Sequence, residues 1–203
     1  MQNITYSING VNLPKTQNGW TKMNKLVVAA EELFSSISFF ETSVVDICKK
    51  AGTAVGTFYI YFDSKVDIYR YVIETYKMHI RHLLNDSIKD LSSRYEKERA
   101  GLKCFVKYAV RNPQVYNVIW GSLAVDKDIF SDYYESFAKS YAHALVSSED
   151  ELKLDDVKTL SYSLMGITNF LGLKAIFEKS SDDEIDAFVD QTIMPLIKNG
   201  MFK

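Results

Sequence analysis

Apolar residues recur three and four positions apart through most of this chain, a spacing that gathers them on one face of an α-helix. The first such stripe is Met23, Leu26, Val27, Ala30, Leu33, Phe34 and Ile37, which predicts a helix over about 21–37. Val44, Ile47 and Cys48 form the apolar face of a shorter one. Ala51-Gly52-Thr53 then makes a tight turn: glycine accepts the positive φ of a sharp corner, and Thr53 is placed to cap the next helix. That helix is two turns long, with Phe58 and Phe62 on the buried side. Ser64-x-x-Asp67 reads as a capping box that opens a long helix from Lys65 past Ile80. Helix, glycine-containing turn, helix is the pattern whose second helix enters the major groove of DNA, although a two-helix corner is also a common packing element.

The C-terminal half repeats the helical spacing with more aromatic rings. Residues 90–101 are polar and read as a connection or an exposed helical turn. Helices are then expected over 102–110, 114–124 after Pro113, and 127–146 after a cap at Asp126. In the next, from Asp155 to about Phe177, two apolar faces oppose each other. Val157, Leu160, Leu164, Ile167 and Leu171 gather on one side; Tyr162, Met165, Gly166, Leu173, Ile176 and Phe177 gather on the other. A helix patterned in this way is sandwiched between two surfaces. A last helix, Asp182 to about Lys198, carries Pro195, which bends or loosens its end. The fold class is therefore all-α. The organisation expected is an irregular N-terminal arm over 1–20, a helix-turn-helix domain over 21–66 with its motif at about 43–62, and a larger helical domain over 67–203.

Composition narrows the function. At 203 residues and 47% hydrophobic content the chain can bury a full core, and three prolines and nine glycines suit long helices. The net charge is −2, so the chain as a whole is no polybasic nucleic-acid binder. Residues 1–70 hold seven basic against six acidic residues, the remainder seventeen against twenty, a weak asymmetry of the sign a DNA-facing N-terminal domain would have. Lys15, Lys22 and Lys25 could touch phosphate. Cys48 and Cys104 have no partner spacing and read as reduced core thiols. No run approaches the length of a membrane helix and the start lacks a signal-peptide build, so a soluble, cytoplasmic protein with no membrane partner is expected. His79 and His82 lie three apart without a third ligand, and His143 is alone. No nucleophile elbow or phosphate-binding loop is present, so no enzyme activity, metal or cofactor is expected.

Ala29-Ala30-x-x-Leu33-Phe34, Phe39-x-x-Thr42-Ser43-Val44-x-Asp46-Ile47, Ala51-Gly52, Gly56-Thr57-Phe58-Tyr59-x-Tyr61-Phe62 and Ser64-Lys65 resemble the N-terminal domain of TetR-type transcriptional regulators over roughly residues 21–70. Ser38 stands where that family usually has a helix-ending glycine, and Ala54 where a serine often caps the recognition helix. The resemblance implies a homodimeric, ligand-responsive regulator, most often a repressor, that binds a palindromic double-stranded operator and is released by a small molecule. It implies DNA contacts from Thr42, Ser43, Val55, Gly56, Thr57, Tyr59, Ile60, Tyr61 and Lys65. Lys65 and the tyrosine hydroxyls would meet phosphate, and Val55, Thr57 and Ile60 base edges or thymine methyl groups.

For the C-terminal domain the residues leave two readings of the aromatic stripes. One is a solid core. The other is a cavity for a small apolar or aromatic effector lined by Phe105, Tyr108, Tyr116, Trp120, Phe137, Tyr141, Tyr162 and Met165, favoured because each buried tyrosine hydroxyl needs a partner. The surplus apolar surface of the last two helices resembles the TetR-type dimer interface, and Leu160, Leu164, Ile167, Leu171, Phe188 and Ile193 are its expected members. A helical adaptor that has lost operator binding is the alternative function, suggested by the apolar Val55 and Ile60.

Overall fold

The computed structural model describes residue 4 and residues 7–153 and 156–201. Every regular element among them is a helix, apart from isolated bridge residues, of which Val11 pairs with Phe62. The helices are α1 (Gln17–Ser36), α2 (Val44–Ala51), α3 (Val55–Tyr61), α4 (Lys65–Ile88), α5 (Arg94–Arg111), α6 (Pro113–Val125), α7 (Lys127–Val146), α8 (Val157–Glu178), α9 (Asp182–Phe188) and α10 (Met194–Met201). Asp155, the expected start of α8, lies outside the described residues, as do residues 1–3, 5 and 6 of the arm. Packing divides the chain into two compact units, Met1–His79 with Gln114–Tyr133, and Ile80–Pro113 with Tyr134–Lys203. The long helix α4 contributes to both, and so does α7.

In the first unit the stripe of α1 is buried through Met23, Leu26, Val27, Ala30 and Phe34, whereas Leu33 is half-buried and Ile37, just past the helix, is exposed. The rings of Phe34 and Phe39 both meet Tyr69 of α4 edge-on, at 5.0 and 5.2 Å between centroids. Helix α1 begins four residues earlier than expected, because the Thr16 side chain accepts the Gly19 N–H at 3.1 Å and caps it. The described part of the preceding segment is docked on the unit. Ile4 and Ile8 are buried, the Asn12 N–H donates to the Tyr61 carbonyl at 2.8 Å, and the Asp63 N–H donates to the Gly10 carbonyl at 3.0 Å. Gly10 has φ +74°, and a Cβ there would lie 2.3 Å from the Asp67 carboxylate, so this strap admits only glycine at that point.

Helix α6 belongs to the same unit. The Tyr69 hydroxyl donates to the Val118 carbonyl, and Arg70 pairs with Asp126 at 3.3 Å as well as with Asp67 at 3.0 Å. The start of α4 is thus held by α6 and the α6–α7 junction, not by its own continuation alone.

The second unit has its core among α5, α7, α8, α9 and α10, built from Leu102, Val106, Leu145, Leu160, Leu164, Ala175, Ile185, Val189, Met194 and Ile197. The polar stretch before Leu102 is the first two turns of α5, capped by Ser93. Arg94 and Glu98 within it are buried as a pair, tied also to the hydroxyl of Tyr141. Between α9 and α10 the chain widens into a π-helical turn, Val189–Ile193. Pro195 follows two residues later, as the second residue of α10; it cannot donate an N–H and its ring crowds the carbonyl four residues back, which a widened turn relieves. Helix α8 corrects one expectation. By length and composition it is apolar enough to cross a membrane, because both of its faces are apolar; one of them lies in the core of the second unit.

Candidate nucleic-acid interface

Helix α2 opens with a reciprocal box: the Asp46 N–H donates to Ser43 Oγ at 3.1 Å and the Ser43 N–H donates to Asp46 Oδ2 at 2.9 Å. The bonds from Ser43 hold the Asp46 carboxyl below its ordinary range. The helix ends at Gly52, whose φ of 65° turns the chain towards α3. Helix α3 starts from Ala54 with no side chain capping it, so Thr53 does not take that role. Phe58 and Tyr61 anchor α3 inward, and its outer face carries Val55, Gly56, Tyr59 and Ile60. After it, the Asp67 N–H donates to Ser64 Oγ at 3.3 Å, the first half of the box expected at the start of α4, while the Asp67 carboxylate accepts at 2.6 Å from the Ser64 hydroxyl and not from its backbone N–H.

The expected DNA contacts separate into two groups. Ser43, Val55, Gly56, Tyr59 and Ile60 are exposed and Thr57 is half-buried on the flank of α3. Thr42, Tyr61 and Lys65 are placed otherwise. Thr42 is 1% exposed and donates its hydroxyl to the Ser38 carbonyl at 2.7 Å. Tyr61 is buried beneath the N-terminal strap. The Lys65 ammonium donates to the carbonyls of Phe39 and Thr42 at 2.7 and 2.6 Å and lies 4.1 Å from the centre of the Phe39 ring. Thr42 and Lys65 spend their polar atoms closing the α1–α2 loop, and Tyr61 is packed into the helix-turn-helix core. The same loop explains the missing glycine: Ser38 itself takes φ +95°, with its carbonyl and Oγ bonded within the loop. Exposed cations nearby in the unit are Lys15, Lys22, Lys25 and Lys49, while Lys50 pairs with Glu32 at 2.7 Å.

The residues expected to line a cavity are spread over both units. Tyr116 is buried and Trp120 partly exposed in the first, the Trp120 ring 6.1 Å from Phe130. In the second unit Phe105, Tyr108, Phe137 and Met165 are half-buried, Tyr162 is exposed, and the Arg81 guanidinium sits 5.1 Å from the Phe137 ring. Tyr141 does not offer its hydroxyl to a ligand, since it donates to Glu98; burial and the Glu98 charge push its pKa well up. Three tyrosine hydroxyls find partners within the protein: Tyr69 on Val118, Tyr141 on Glu98, and Tyr134, pushed up to about 12 by burial, on Asn169 at 3.4 Å.

The expected dimer residues are corrected by burial. Leu160 and Leu164 are buried in the core of their own unit, with Leu171, Phe188 and Ile193 packed against it and Ile167 half-buried, so this face of α8 is already covered. The opposite face is the outward one: Tyr162, Phe170 and Phe177 are exposed along it, and Leu196 of α10 is exposed too. Pattern alone shows two apolar faces without saying which the chain covers itself.

Residues 26–72 match the profile of "Bacterial regulatory proteins, tetR family". Over 53 residues the chain is 49% identical to the uncharacterized HTH-type transcriptional regulator YvdT of Bacillus subtilis (strain 168), covering 26% of each protein. Over 80 residues it is 38% identical to an uncharacterized HTH-type transcriptional regulator in the lacX 3' region of Lactococcus lactis subsp. lactis, covering 39% of each. The match therefore spans about a quarter to two fifths of these relatives' length. Across nearly the whole chain, the fold is similar to the fatty acid degradation regulator FadR from Bacillus halodurans. That likeness has a TM-score of 0.75 at 15% identity, covering 91% of this chain and 96% of that one.

Proposed function

We propose, from the premise that this chain belongs to the tetR family of bacterial regulatory proteins through its helix-turn-helix domain, that it is a transcriptional repressor released from DNA by a small apolar effector. The observation that carries the reading is the outer face of α3. Val55, Gly56, Tyr59 and Ile60 stand exposed on a helix whose other side is locked into the core, the arrangement a major-groove reader needs. Lys22, Lys25 and Lys49 meet phosphate and set the register; they carry no sequence information. Two chains associate through the uncovered face of α8, where Tyr162, Phe170, Leu173 and Phe177 come at steps of eight, three and four residues, and through Leu196 of α10.

The effector lodges among the half-buried rings of the second unit, Phe105, Tyr108 and Phe137, with Met165. Its signal reaches the start of α4, which α6 grips through Tyr69 and Val118 and through Arg70 and Asp126. A small pivot of α4 in each chain spoils the match of the two recognition helices to successive major grooves, so no contact between effector and DNA is needed. Acyl chains are the first effectors to try, since a fold neighbour is named for fatty acid degradation.

The test is selection of bound duplexes from a random double-stranded library at moderate salt, followed by footprinting. Enriched sites should show two-fold symmetry, with half-sites about one helical turn, roughly 10 base pairs, or a multiple of it apart. An effector should lower affinity by about 5–150-fold, and the duplex should weaken effector binding by the same factor. Failure to enrich any sequence would replace this reading with a helical ligand-binding adaptor.

A further inference from the structure

The sequence VGTFYIY of α3 contains no arginine, lysine, asparagine, glutamine, carboxylate or histidine. Its outward residues are Val55, 40% exposed, Tyr59, 54%, Ile60, 61%, and the glycine between them. Guanine is read by a bidentate arginine or lysine, adenine by asparagine or glutamine, and cytosine by a carboxylate. This helix offers none of these. The one base-edge feature of the major groove that branched aliphatic side chains recognise is the C5-methyl group of thymine.

Gly56 sharpens the point. At 100° per residue it falls between Tyr59 and Ile60 on the exposed side, with Val55 on the far flank of Tyr59. Gly56 stands in the first turn of α3, and even there glycine restricts the backbone less than alanine and so favours the helix less. Nothing in the fold asks for it: its φ is not positive, and a Cβ built there meets no atom within 4 Å. A residue that weakens its own helix, in the middle of an exposed face and without an internal neighbour to make room for, leaves a notch for something outside the chain. Tyr59, Ile60 and Val55 form the rim of that notch, and its floor is bare backbone.

We infer that the outer face of α3 reads thymine methyl groups, with Gly56 the point of closest approach and Val55 and Ile60 the residues that decide sequence preference. The inference rests on the proposed regulator function and names what that site recognises: half-sites whose major groove is lined with thymine methyls. Affinity for the correct site then depends on apolar contact at the base edges, and preference is set without any bidentate hydrogen bond.

The experiment uses the full chain and duplexes selected from a random library. Each enriched duplex is remade with deoxyuridine in place of thymidine, which removes the methyl groups and leaves every hydrogen-bonding edge in place. Burying a methyl-sized group changes affinity about fourfold, so several contacts over two half-sites should make the uridine duplex at least about tenfold weaker. The Val55→Ala/Ile60→Ala double variant should bind the two duplexes alike. Gly56→Ala should melt no lower than the wild type yet bind at least about tenfold more weakly, a combination that a merely structural glycine would not give. Equal binding of the two duplexes by the wild type would overturn the inference, as would full discrimination by the double variant or wild-type affinity in Gly56→Ala. Those results would leave the regulator function standing, because a site would have been selected. Absence of any enriched sequence would overturn both.

Discussion

Lys65 shows how a residue's chemistry can fit one role while its neighbours assign it another. A lysine at the start of α4, next to a recognition helix, suits a phosphate contact. In the structure two of its three N–H donors go to the carbonyls of Phe39 and Thr42, and its charge faces the Phe39 ring. Hydrogen bonds from a charged donor contribute about 1.5–3 kcal/mol, and carbonyls left unpaired cost about as much. Lys65→Met should therefore lower the stability of the chain by about 2 kcal/mol in urea unfolding, while the slope of log affinity against log salt for DNA stays as it was. Lys49→Ala, at an exposed position, should reduce that slope by about one with no change in unfolding. A drop of about one in the slope for Lys65→Met at unchanged stability would return Lys65 to the phosphate.

Between elements, a ladder of ion pairs joins α5 to α9 and the π-turn. Arg99, Lys103, Lys107 and Arg111 recur every four residues on α5 and face Asp182, Asp186 and Asp190, also four apart. Arg99 Nε and Nη2 donate to the two oxygens of Asp190 at 2.6 and 2.7 Å, and Lys103 reaches Asp190 at 2.7 Å. The Arg99 bond, chiefly, holds Asp190 down to about 2, and Lys107 holds Asp186 below its ordinary range. With the folded value below the unfolded one near 4, the contribution is present above about pH 4 and lost as pH falls through about 2. Asp190 is about a third exposed, so screening limits its share to under about 1 kcal/mol. Asp190→Asn should melt lower than the wild type at about pH 7 and low salt. The gap should close both near pH 2 and in molar salt; a gap that persisted at about pH 2 would show that the loss is one of packing and not of charge.

For the whole molecule the two faces of α8 have opposite consequences. Leu164 is buried in the core of its unit, and Phe177 is 75% exposed on the other side. An unpaired charge in a core costs several kcal/mol, so Leu164→Glu should give a chain without a cooperative unfolding transition in circular dichroism. Phe177→Glu should keep the wild-type spectrum and melting while sedimenting as a monomer with poor operator affinity. If Phe177→Glu sedimented with the wild-type mass, and that mass were a dimer, the association surface would lie elsewhere.

Periodicity and turn chemistry by themselves determined the helical class and the helix-turn-helix. Helical spacing marks which residues face inward, and a glycine at positive φ or a Ser-x-x-Asp box is a local event that needs no distant partner. The exposed side of α3 was legible for the same reason, since Phe58 and its turn-related neighbours fix which way the rest of that short helix points. What spacing could not decide was which of two apolar faces a helix covers with its own chain, as for α8. Nor could it show whether a polar stretch is loop or the buried start of a helix, as for Arg94 and Glu98. The docking of the strap around Gly10 was hidden too: Ile4, Ile8 and Val11 are spaced as in a helix, yet the segment is held by Tyr61, Phe62 and Asp63, partners that local spacing does not report. Thr42, Tyr61, Lys65 and Tyr141 belong to this second kind: a side chain's type says what it can bond, and only the folded chain says which donor or acceptor reaches it first.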